Sequence, residues 1–145
     1  MKYTVYTDGA YRSEDKVAGC SYLIITPTRY ISSNSHKVDG IDSATLAETM
    51  AVALSAMYLL NNTELTKDDV VEFNIDCLST IDFYNNHAFS NGSIMSKVPA
   101  IRSAVGVVRK LAKICNVSFE KVKGHKNKVG PNTFVDRLAK IAVRG

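Results

Sequence analysis

Polar and apolar residues alternate along KYTVYTD (2–8), and this period of two predicts a strand. AGCSYLIIT (18–26) and RYISSNSHKV (29–38) follow as two more strands, joined by a short turn at Pro27. Three successive strands with short connections read as an antiparallel meander. The pattern then changes. From Ser43 to Leu60 (SATLAETMAVALSAMYLL) the residues are apolar, small or hydroxylated, with Glu48 the one charged residue. So little polar surface predicts a helix buried on most of its circumference. Asp42, Ser43 or Thr45 can cap it, and Thr45 to Glu48 matches the S/T-x-x-E capping box.

After a polar connection at 61–69, VVEFNID (70–76) is a short, partly continuous apolar run, as expected of a buried strand. LSTIDFYNN predicts a short helix. HAFSNGSIMSKVP predicts a loop, punctuated by Asn91-Gly92 and Pro99. Ile101, Val105, Val108 and Leu111 recur at helical spacing between Ala100 and Cys115. VSFEKV (117–122) reads as a fifth strand, GHKNKVGPN as a basic loop and FVDRLAKIAVR as a closing helix. The order β-β-β-α-β-α-α-β-α predicts an α/β fold. Its sheet is mixed and five-stranded, three antiparallel strands then parallel ones, flanked by helices in one domain over residues 1–145.

Composition narrows the setting. No apolar run reaches the ~20 residues that span a bilayer, and MKYTVYTDGAY turns polar too soon for a signal peptide. The cysteines (Cys20, Cys77, Cys115) are scattered, which argues for reduced thiols and against a thiolate zinc site. A cytoplasmic, intracellular monomer with no membrane partner is expected. Charge is unevenly spread: residues 1–96 hold 6 Lys/Arg against 12 Asp/Glu, residues 97–145 hold 12 against 2. The basic segment suggests a polyanionic partner, although two solvated faces of opposite sign would give the same count.

Four acids carry the candidate chemistry. Asp8 and Asp76 stand at predicted strand ends, where open α/β sheets form their crevices. Each acid alone has an ordinary explanation. Asp8-Gly9 is a common turn dipeptide, Asp76 can cap the next helix, Glu48 can complete a capping box, and Asp136 can answer a helix dipole. Together they suggest something else. A buried carboxylate needs a counter-charge or a proton, and clustered carboxylates repel unless a cation neutralises them. Oxygen-only ligands favour a hard cation, Mg²⁺ or Mn²⁺, over zinc.

YTDG (6–9), LAET (46–49), NID (74–76) and KGH (123–125) followed by N-x-x-x-D (132–136) resemble, in order and spacing, the type 1 ribonuclease H pattern of the RNase H-like superfamily. The resemblance covers Lys2 to Arg144. It implies an endonuclease that hydrolyses the RNA strand of RNA–DNA hybrids and leaves 5′-phosphate and 3′-hydroxyl ends. It implies Asp8, Glu48, Asp76 and Asp136 as ligands of two divalent ions, with Asp8 bridging, Glu48 and Asp76 completing one site and Asp136 the other. His125 would help position or deprotonate water or aid product departure, unless it simply touches phosphate. Lys123, Lys126 and Lys128 could hold the scissile strand, and Asn132 could contact the hybrid or orient its loop.

The chain departs from the family's pattern in three places. The first turn, DGAYRSEDKVAG, lacks Cys-x-x-Asn-Pro-Gly and keeps only the small pair Ala18-Gly19, leaving Tyr11, Arg12 and Ser13 as candidates for contacts to RNA. There is no Trp and no basic protrusion before the helix at 100–115, and no separate hybrid-binding domain is expected. Low unaided affinity for hybrids is expected. Other readings stay open: the same fold acting on a different nucleic-acid structure, or a binding module without catalysis. A purely structural domain would leave Glu48 without a reason.

Overall fold

The first strand runs longer than its alternation suggested. A computed structural model describes residues 1–41, 43–89, 99–122 and 130–144. In it β1 (Lys2–Arg12) passes straight through Asp8-Gly9, because β2 (Val17–Ile25) pairs antiparallel with it from Thr4↔Ile25 to Arg12↔Val17. The turn falls later, between Arg12 and Val17, so the reading of Asp8-Gly9 as a turn is wrong. β3 (Tyr30–Asp39) pairs antiparallel with β2. β4 (Val70–Ile75) lies parallel to β1 on its other side, and β5 (Asn116–Lys121) lies parallel to β4. The sheet order is β3-β2-β1-β4-β5, the mixed five-stranded arrangement expected.

Four helices cover the sheet: α1 (Ala44–Asn62), α2 (Leu78–His87), α3 (Pro99–Ile114) and α4 (Pro131–Arg144). By length and composition α1 could cross a bilayer, contrary to the expectation that no segment would. Here it is a core helix, packed on β1, β2 and α3. Its cap is Ser43, whose hydroxyl accepts from the Leu46 amide at 3.1 Å. The Thr45–Glu48 capping box therefore does not form, and Glu48 is released for another role. Asp42 lies outside the described residues.

The main core sits between the α1 side of the sheet and helices α1–α3. Val5, Ile24, Val52, Leu59, Val71, Phe73, Val108 and Leu111 are fully buried there. Tyr84 joins them and is buried too, its hydroxyl donating to the Thr49 carbonyl at 2.6 Å, while its ring stacks on Phe119. One buried tyrosine thus fastens α2 to the turn of α1 that follows Glu48. α4 lies against the opposite face of β1 and β2, burying Val135 and Ala139. The cations Arg102 and Lys110 of α3, and Arg137, Lys140 and Arg144 of α4, are exposed.

Candidate active site

The pairing of β1 with β4 stops at Tyr6↔Asn74, whereas β1 continues to Arg12 along β2. Past that point the sheet opens on one side of β1, and there the acids gather. Asp8 lies two residues beyond the last pair on β1, and Asp76 directly follows β4. Glu48 reaches the opening because α1 rests on the β1 backbone at Gly9. A Cβ built on Gly9 would fall 2.6 Å from the Ala47 carbonyl carbon and 2.7 Å from the Glu48 nitrogen. Only a residue without a side chain lets the helix approach that closely. Cys20 adds a contact at the same turn, its Sγ 3.4 Å from the Ala47 oxygen.

Asp8, Glu48 and Asp76 each offer a carboxylate oxygen, and these oxygens lie within 4.8 Å of one another. Asp8 and Glu48 are buried and Asp76 half-buried. The Gly9 amide donates to Asp8 Oδ1 at 2.9 Å. Asp136, the sixth residue of α4, comes within hydrogen-bonding reach of Asp8 from the other face. The Lys140 ammonium sits 2.9 Å from Asp136 Oδ2. Beyond the first helical turn the dipole has little hold on Asp136. The cap of α2 is Cys77, without a side-chain bond, so Asp76 is not the N-cap.

The electrostatics show what the cluster lacks. Burial raises the Asp8 carboxyl above the usual range, aided by the charge of Asp76, although its contacts with Glu48 and the Gly9 amide pull the other way. Burial raises Glu48 further, aided by the charges of Asp8 and Asp76. Glu48 Oε2 is buried without a hydrogen-bond partner. Three clustered carboxylates with one buried, orphaned oxygen among them fit a hard divalent cation better than zinc. Asp8, Glu48 and Asp76 are the residues that would hold it.

These shifts set a pH dependence. Raised carboxyl pKa values mean that the folded, metal-free chain holds protons that the unfolded chain has released. Their stabilising contribution is complete below the ordinary carboxylate range and drains away as pH rises. Glu48→Gln takes away a group whose ionisation favours the unfolded chain at pH 8, so the metal-free variant should be more stable than the parent there, by about 1–2 kcal/mol. Mg²⁺ should raise the parent's melting temperature and expel protons, while stabilising the variant far less. Calorimetry in buffers of differing ionisation enthalpy measures the protons, and a variant equally stabilised by Mg²⁺ would refute the assignment.

The structure places the other candidates unevenly. Arg12 ends β1, four residues past Asp8, and its guanidinium holds the Asp15 carboxylate with two bonds of 2.8 and 2.6 Å. Ser13 follows in the exposed turn, so neither is brought to the acids. Asn132 lies in the first turn of α4 and is half-buried. His125, Lys123, Lys126 and Lys128 lie outside the described residues. The sequence did not reveal a cleft of about 240 Å³ lined by Ser43, Thr45, Leu46, Thr49, Ser79, Phe83 and Ile101. Its walls include Thr49, the chain neighbour of Glu48, and Ser79, three residues past Asp76. The run of hydroxyls at the start of α1 was its one visible trace.

The RNase H family model matches residues 1–144. No protein among the curated sequences matches this chain. Among solved structures, the chain is similar to RNase H1 from the halophilic archaeon Halobacterium salinarum NRC-1, with TM-score 0.74, 16% identity, and coverage of 99% of this chain and 98% of that one. It is similar to the N-terminal RNase H domain of a Mycobacterium tuberculosis protein fused to maltose-binding protein, with TM-score 0.72, 17% identity and coverage of 99% and 94%. It is also similar to LC11-RNase H1 in complex with an RNA/DNA hybrid, with TM-score 0.70, 15% identity and coverage of 98% and 96%.

Proposed function

Because this chain belongs to the RNase H family, we propose that it is an endonuclease hydrolysing the RNA strand of RNA–DNA hybrids with two divalent ions, Mg²⁺ or Mn²⁺, leaving 5′-phosphate and 3′-hydroxyl ends. The observation that carries the proposal is the meeting of the carboxylates of Asp8, Glu48 and Asp76, one oxygen of Glu48 being buried and unpartnered. The hybrid bound in the LC11-RNase H1 structure supports the choice of substrate.

Asp8 would be the shared ligand, since it adjoins both Glu48 and Asp136. Glu48 and Asp76 would complete one cation position and Asp136 the other. The chemistry that ions held there would supply is activation of the attacking water and stabilisation of the leaving 3′-oxygen of an in-line displacement. Fully buried Ala47, close against the Gly9 backbone, forms an apolar flank on the α1 side of the carboxylates. Lys140 balances Asp136 until a cation takes its place. Exposed cations on α3 and α4 supply salt-sensitive attraction to phosphates. Phosphate contacts carry no base information, so discrimination rests on duplex shape and the 2′-hydroxyl, with little sequence preference.

The test is cleavage of an end-labelled hybrid, with Mg²⁺ and Mn²⁺ titrated separately and double-stranded RNA and branched DNA run beside it. Metal-dependent cuts confined to the RNA strand of the hybrid are expected. Binding without cutting would move the assignment to a binding module, and preferential cutting of branched DNA to another nuclease. In the same assay His125→Ala should slow turnover about 10²-fold without abolishing it, the size of a lost general acid–base contribution. Complete loss at saturating metal would give His125 a larger part.

A further inference from the structure

We infer that Ser21 is a positioning residue for the cation position formed by Asp8 and Asp136, acting through the main chain of α4; the inference rests on the metal-dependent reading above.

Ser21 is fully buried on β2, opposite Asp8 in the β1–β2 ladder. Its neighbours Cys20 and Tyr22 turn to the α1 side, where they meet Ala47 and Tyr58. Ser21 and Gly19 turn the other way, onto α4. The Ser21 hydroxyl donates to the Val135 carbonyl, and the same oxygen lies 3.5 Å from the Asp8 carbonyl. The Val135 carbonyl belongs to the peptide unit whose nitrogen is that of Asp136. One hydroxyl therefore touches the backbone of both acids.

Gly19 makes the second contact, one helical turn away. A Cβ there would fall 1.9 Å from the Ala139 oxygen. Same-face residues on a strand are spaced roughly 6.6–6.8 Å apart, and residues four apart on a helix roughly 6 Å. Gly19 against Ala139 and Ser21 against Val135 thus form a matched pair of contacts that runs α4 antiparallel to β2. The glycine sets how close the helix lies. A closely packed helix can still slide along its axis, and a hydroxyl bonded to one particular carbonyl resists that sliding. Packing alone would be served by alanine at position 21, since burying a hydroxyl costs free energy unless it is bonded. The hydroxyl is explained by the axial position it imposes on Asp136.

The experiment is calorimetric titration of the whole chain with Mn²⁺ alone, in the parent, Ser21→Ala, Asp136→Asn and the double variant, with melting temperatures alongside. Ser21→Ala should weaken, by about 10-fold, the Mn²⁺ binding that Asp136→Asn removes. In the Asp136→Asn background the Ser21 substitution should change Mn²⁺ affinity no further, because a coupled pair is not additive. On hybrid, kcat should fall while KM holds, and raised Mn²⁺ should restore the rate. Ser21→Cys, which keeps a weaker donor, should give an intermediate affinity and carries the test if the alanine variant does not fold. Unchanged Mn²⁺ affinity in a folded Ser21 variant would overturn the inference, as would an equal loss in the Asp136→Asn background. A parent that binds no Mn²⁺ would instead refute the metal-dependent reading, and this inference with it.

Discussion

Asp76→Asn is expected to lower turnover of the hybrid by more than about 10³-fold, since each 1.4 kcal/mol of lost transition-state stabilisation costs a factor of ten and a divalent ion supplies several. The substitution keeps the shape of a side chain that sits directly past β4 with its oxygen inside the cluster of three carboxylates. What it removes is one negative charge of the set that would attract the cation. The fold should survive, because one source of repulsion inside a buried cluster disappears with that charge. Hybrid affinity, measured with Ca²⁺ in place of Mg²⁺, should stay within a few-fold of the parent, since the exposed cations of α3 and α4 are untouched. Near-normal turnover would show that Asp76 is not a ligand.

The second large effect concerns stability. Gly19→Ala puts a methyl group 1.9 Å from the Ala139 oxygen and 2.8 Å from the Val143 nitrogen, both main-chain atoms of α4. Neither can swing aside as a long side chain would, so the helix must leave the sheet or the strand must bend. Overpacking against backbone should cost about 3 kcal/mol or more, a fall in melting temperature of roughly 10 °C for a chain of this size. Gly106→Ala is the matched control. Gly106 lies within α3, exposed, with nothing within 4 Å of an added Cβ. There alanine should stabilise by about 0.5–1 kcal/mol through helix propensity. Urea unfolding of the two variants settles the point: a Gly19→Ala loss below about 1 kcal/mol would mean that α4 is not clamped on β2 as described.

The three acids that the structure clusters could be read from the sequence because each stands out against its surroundings. Glu48 is the one charge in an apolar helix, and Asp8 and Asp76 follow runs of strand-forming residues. The strand and helix order followed from periodicity alone. What could not be read was how elements distant in sequence press together. Asp8-Gly9 has the composition of a turn, yet the pairing with β2 carries β1 through it, and Gly9 serves the close approach of α1. Thr45 and Glu48 match a capping box, but Ser43 takes the cap. The Ala18-Gly19 pair was visible only as small residues, because the atoms that explain Gly19 belong to Ala139 and Val143 at the far end of the numbering. The cleft beside the acids needs α1, α2 and the start of α3 at once, which no local pattern encodes.

The placement of α4 also bears on which part of the protein lets go first. Among the described residues α4 is the one helix on its face of the sheet, and it buries only Val135 and Ala139, whereas α1 is enclosed within the main core. Segments with few buried contacts open at a free energy below that of global unfolding. The amides of α4 should therefore exchange with solvent deuterium through a partial opening that leaves β1, β4 and α1 protected. A divalent ion shared by Asp8 and Asp136 would bind only the closed form and slow that exchange in proportion to its concentration. Metal occupancy would then be readable in the exchange rates of a helix that supplies a single ligand.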